Sequence, residues 1–63
     1  LDRYIVQRIM NNGEVENQSY LDFHQAQHAY EFLLDNGGKP DKSVALMAIH
    51  IPYTVELIDS RKF

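Results

Sequence analysis

Apolar and polar positions alternate at the start of the chain and again near its end, and recur at helical spacing in between. Tyr4-Ile5-Val6-Gln7-Arg8-Ile9-Met10 and Glu14-Val15-Glu16-Asn17-Gln18-Ser19-Tyr20-Leu21 are two extended stretches on either side of Asn12-Gly13. Asn-Gly suits the φ > 0 conformations of a type I′ turn, whose twist matches that of two antiparallel strands. The pattern therefore predicts a β-hairpin. With Asn12-Gly13 as a two-residue loop, Met10 opposes Val15 and Val6 opposes Ser19. Side chains alternate across a strand. One face then carries Tyr4, Val6, Met10, Val15 and Leu21, with Arg8, Asn17 and Ser19 among them. The other carries Ile5, Ile9 and Tyr20 with Gln7, Glu16 and Gln18. The first has more apolar area and is expected on the core.

From about Phe23 to Asn36 the spacing is helical. At 100° per residue, Ala26, Ala29, Tyr30, Phe32, Leu33 and Leu34 fall on one arc, with His24, His28, Glu31 and Asp35 opposite. Asp22 with Gln25 three positions on can form a capping box. Asn36-Gly37 offers a left-handed C-cap, Gly38 loosens the exit, and Pro40 blocks continuation. Farther on, Ile49, Ile51, Tyr53, Val55 and Leu57 alternate with polar residues and predict a strand, with Pro52 at an edge or bulge. Val44-Ala45-Leu46-Met47-Ala48 is apolar without useful period. Asp41 as a cap and the Ala, Leu and Met content favour a short helix there. The competing reading is an extra strand with a break at Pro52, in a turn that lacks Gly, Asn or Asp.

The expected fold is a single small α+β domain over residues 1–63. A small antiparallel sheet, built from the N-terminal β-hairpin and a C-terminal strand, packs on one amphipathic helix, with a second short helix or extra strand at about 41–48. The final strand is expected beside the first. A chain of this length buries only about 60% of its unfolded surface, and with no cysteine it has neither disulfides nor cysteine-zinc sites to staple it. The apolar content of 44% is ample for a folded core. No run approaches the ~18 apolar residues of a membrane span, so the default expectation is a soluble, cytoplasmic protein without membrane association. Leu1 in place of an initiator methionine leaves room for a processed N-terminus.

The net charge of −3 is unevenly spread, with no Lys or Arg between Arg8 and Lys39. An acidic middle repels phosphate backbones and attracts basic protein surfaces. The alternative of a nucleic-acid-binding sheet, with Tyr20 as stacking platform, has only Arg3 and Arg8 to support it. His24 and His28, four apart on a helix, continue into Glu31 and are the weak candidates for a divalent-metal site. A polar solvent face explains the same spacing, and the glutamate that a zinc-protease helix carries after its first histidine is here Gln25. His50 has no nucleophile marked beside it, and Glu14 and Glu16 point to opposite faces, so neither catalysis nor a cofactor is expected.

The expectation is a non-catalytic protein–protein interaction module. Two surfaces compete for the partner: an apolar sheet patch of Ile5, Ile9 and Tyr20, joined by Ile58, and an acidic strip of Glu14, Glu16, Glu31 and Asp35 suited to a partner with a basic surface. The apolar patch also offers a homodimer interface. In size and charge the chain compares with small bacterial or phage accessory and inhibitor proteins that act on a larger protein, by analogy alone.

Overall fold

The computed structural model describes residues 2–36, 41–50, 52 and 54–63. Strands β1 (Arg3–Met10) and β2 (Val15–Tyr20) form the N-terminal hairpin, followed by helix α1 (Phe23–Asn36) and strands β3 (Asp41–His50) and β4 (Thr54–Lys62). The four strands make one antiparallel sheet in the order β2-β1-β3-β4, and α1 lies over β3, β1 and β2 on one side. This is the small α+β architecture that the pattern implies.

The hairpin loop corrects the expected register by one residue. Tyr4 faces Tyr20, Val6 faces Gln18 and Ile9 faces Val15, so the loop has three residues. The Gly13 amide donates to Met10 O at 2.9 Å, and Met10 N donates to Glu14 O at 2.8 Å. Among the described residues only Gly13 takes a positive φ, of 91°. A type I′ turn would need Asn12 there too. Asn12 instead uses its Oδ1 to accept from Glu14 N at 3.0 Å, and the glycine alone supplies the left-handed residue of a bulged three-residue loop. A one-residue slip exchanges the faces of a whole strand. Tyr20 therefore joins Tyr4 and Val6 on the helix side, while Val15 joins Ile5 and Ile9 on the open side.

The short helix favoured for residues 41–48 is not formed; that segment is β3, a central strand. Val44, Leu46 and Ala48 are buried under α1, while Ala45, Met47 and Ile49 alternate with them on the open face and are half-buried. A strand with apolar residues on both faces reads as an unbroken apolar run, which is why its period was illegible. β3, not the final strand, pairs beside β1, from Arg3 opposite Ile49 to Ile9 opposite Ser43. The predicted strand through Pro52 is also corrected. His50 of β3 pairs antiparallel with Thr54 of β4, so the alternation from Ile49 to Leu57 spans two strands, and Ile51 and Tyr53 lie outside the described residues. Residues 37–40, which carry the expected helix stop, lie outside the described residues.

Asp22 caps α1, its Oδ1 accepting from His24 N at 3.1 Å rather than from the Gln25 amide of a capping box. The core is Val6, Ala26, Tyr30, Val44 and Leu46, with Tyr4, Tyr20, Phe23, Ala29, Leu33 and Leu34 packed around it. The Tyr4 and Phe23 rings meet edge-on at 5.4 Å. Phe32, placed by the wheel on the apolar arc, is 63% exposed. β4 is exposed along its length. A register shift between Leu46 and Met47 leaves Ile58 as an extra residue between Leu57 and Asp59, a bulge that turns both Ile58 and Asp59 toward the groove beside α1.

Candidate functional site: two unlike faces of the sheet

With α1 on one side, no described element covers the other side of the sheet. β1 contributes Ile5 and Ile9 there, β2 Val15, β3 Ala45, Met47 and Ile49, and β4 Val55 and Leu57, as the cross-strand pairs require. Val15, Val55 and Leu57 are 52%, 64% and 60% exposed. At its centre a shallow depression is lined by Ile5, Met47, Ile49 and Val55, with Gln7 and Asn17 on its polar margin. The expected apolar patch therefore exists around Ile5 and Ile9, but it is centred on β3, with Tyr20 and Ile58 on the other side of the sheet. β3 supplies three of its residues; Ala45 and Met47 were hidden in the run read as a short helix, and Ile49 in the alternation that predicts the final strand.

Charge divides sharply between the two sides. Of the nine carboxylates, none lies on the open face. Asp2, Glu16, Asp41, Glu56 and Asp59 belong to the helix side of the sheet, Asp22, Glu31 and Asp35 to α1 and its cap, and Glu14 to the hairpin loop. Among the strand cations that the pairing places on a face, Arg3 and Lys62 stand at the ends of the open one. Arg3 Nη1 donates to Ser19 Oγ at 3.4 Å, and Lys62 pairs with Ser43.

On the helix side, Arg8 is the organising cation. Its Nε and Nη2 both donate to Asp41 Oδ1, at 2.9 and 2.8 Å, and its Nη1 lies 3.3 Å from Glu16 Oε1. The hydrogen bond to Asp41 leads in holding the guanidinium pKa above its ordinary value. The Asp41 side chain is 1% exposed. Glu16 is thus partly neutralised, whereas Glu14, Glu31 and Asp35 are exposed. Glu31 and Asp59 flank the groove between α1 and β4, over a floor that includes Leu46 and Ile58.

Two polar arrangements escaped sequence reasoning because their members are distant in the chain. His50 sits between Asp2 and Glu56, with Nδ1 at 3.1 Å from Asp2 Oδ1 and Nε2 at 2.9 Å from Glu56 Oε1. Both nitrogens donate to carboxylates only in the imidazolium form, and these bonds, that to Glu56 foremost, push its pKa up. A ring so engaged has no free nitrogen with which to act as a general base. The second is the Tyr30 hydroxyl, buried without a hydrogen-bond partner among the described residues. Burial, followed by the charge of the Asp59 carboxylate, which lies near the hydroxyl but outside hydrogen-bonding geometry, pushes this phenol's pKa up.

His24 and His28 are exposed on α1, and the His24 ring lies against Phe23. Among the described residues no three His, Asp or Glu side chains converge closely enough to hold a metal ion, so His24, His28 and Glu31 do not form such a group. Among the described residues no helix is long and apolar enough to cross a membrane. Compared with known protein families, curated proteins and solved structures, the chain matches none.

Proposed function

We propose that this chain is a non-catalytic protein–protein interaction module that docks through the open face of its sheet. The observation that carries the reading is the contiguous apolar surface of Ile5, Ile9, Met47, Ile49, Val55 and Leu57, uncovered and free of carboxylates. Contiguous exposed apolar surface with a polar margin is characteristic of partner-binding sites. The carboxylate-locked His50 supports the non-catalytic part of the reading. The nucleic-acid alternative loses support because Tyr20, its stacking platform, lies on the helix side across from Tyr4. A second reading, an acidic helix side that meets a basic partner, is favoured by exposed Glu31 and Asp35 and by Asp59 beside the α1–β4 groove.

A photo-reactive amino acid installed at Met47, and separately at Gln27 on α1, tests the proposal in the cells that produce the protein. Protein adducts formed from position 47 and not from position 27 are the expected result, with the chain itself counted as an acceptable partner. Adducts from position 27 alone would transfer the partner role to the acidic side. Absence of adducts from both positions would count against an interaction module altogether.

A further inference from the structure

We propose that the occupant of the open face is a second copy of this chain, packed sheet against sheet. The inference rests on the reading of that face as a docking surface. Stable domains bury each apolar face of a sheet under another layer. Here the sheet is apolar on both faces, and the described residues include one helix, which covers one of them. A second identical sheet supplies the missing layer and buries the same residues on both partners, as an isologous pair requires.

Electrostatics selects the same arrangement. Each copy carries a net charge of −3, so contact through the helix side would set carboxylate against carboxylate. Contact through the open face sets side chains such as Ile5, Met47, Leu57 and Ala45 against their counterparts and keeps both acidic layers outward. Like-charge juxtaposition is what suppresses wrong pairings at interfaces. The open face presents none at its centre, and Arg3 and Lys62 lie at opposite ends of it.

Pairing through sheet edges is the rival route to a dimer, and the edge strands discourage it. β4 is interrupted by the bulge at Ile58 and carries Glu56, Asp59, Arg61 and Lys62, and β2 is six residues long. Bulges, charges and short length are the features that blunt an edge against further pairing. Area is adequate for face-to-face contact. Four strands about 4.8 Å apart and about eight residues long at about 3.3 Å each present on the order of 500 Å². Two such faces hide on the order of 1,000 Å² before side-chain relief is counted, the scale at which specific association begins. A dimer that dissociates on dilution follows.

Analytical ultracentrifugation over a wide concentration range, with circular dichroism to confirm folding, tests this on wild type, Met47→Asp, Leu57→Asp and Phe32→Ser. Leu57 is 60% exposed on an edge strand, so Leu57→Asp leaves the core intact even if Met47→Asp does not fold. The expected result is a mass rising from 7.4 kDa to twice that value with concentration. The dissociation constant should rise at least about tenfold in both open-face variants and stay unchanged in Phe32→Ser. A wild type that remains monomeric up to about 1 mM would overturn the second-copy occupant, while adducts from position 47 would still uphold the docking face. A dimer indifferent to Met47→Asp and Leu57→Asp would overturn the docking face itself.

Discussion

Removing the guanidinium from Asp41 is the sharpest test of how this fold is held together. In Arg8→Met the apolar stem is largely kept, but a carboxylate whose side chain is 1% exposed loses the cation on its Oδ1. Breaking a buried ion pair from one side typically costs about 3–5 kcal/mol, because the remaining charge is stranded. The Arg8 side chain is itself 25% exposed, so water reaches the site and the cost falls to about 2–3 kcal/mol. A chain of this length has roughly 3–9 kcal/mol of total stability. Arg8→Met should therefore consume a large part of it and lower the urea midpoint by roughly 2 M, for a slope near 1 kcal/mol per M. Replacing both partners, with Arg8→Met and Asp41→Leu together, should recover most of the loss, since the pair's main cost is desolvation. The reasoning fails if Arg8→Met loses less than about 0.5 kcal/mol, the signature of an ordinary surface ion pair. It fails equally if the double variant is no more stable than the single one.

Two further outcomes follow from the polar groups on the helix side. Because the His50 pKa is raised in the folded chain, its contribution is fully present below the unfolded value near 6.5 and is lost as pH rises through the folded value. Melting temperature should fall across that window in wild type and fall less in His50→Gln; identical profiles would dissolve the link. Tyr30→Phe removes a buried hydroxyl that has no partner among the described residues, so it should leave stability unchanged or raise it by up to about 1 kcal/mol. A loss larger than that in chemical denaturation would show that the hydroxyl is bonded.

Local chemistry was the legible part of this sequence. Asp22 as a cap, the helical spacing from Phe23 and the Asn-Gly reversal all act within a few residues, and each stands where the pattern put it. The errors came from one-residue ambiguity and from non-local burial. Asn11-Asn12-Gly13 can close as a two- or three-residue loop, and that choice alone decides whether Tyr20 or Val15 shares a face with Ile5. Val44 to Ala48 looked aperiodic because both faces of β3 are apolar, a property conferred by neighbours on either side. The candidate face was thus half visible: Ile5 and Ile9 were found, while Met47, Ile49 and Leu57 needed the strand order. His50 with Asp2 and Glu56 is assembled from β3, β4 and the residue just before β1, and no spacing rule reaches across them.

The strand order also constrains how the chain acquires its structure. β1 and β2 are joined by a tight loop and β3 and β4 by a short one, so each hairpin can close quickly by itself. The central seam is different: it joins Arg3 to Ile49 and Ile9 to Ser43, positions far apart along the chain, and the core under α1 is shared between its two sides. Closing so long a loop costs entropy before the packing that compensates it exists. During synthesis, the first hairpin and the helix must therefore wait for β3 before the sheet can close. In that interval Val6 and Tyr30 lack Val44 and Leu46, the partners that complete their core, and the nascent segment is at its most vulnerable to proteases and to association with other unfinished chains.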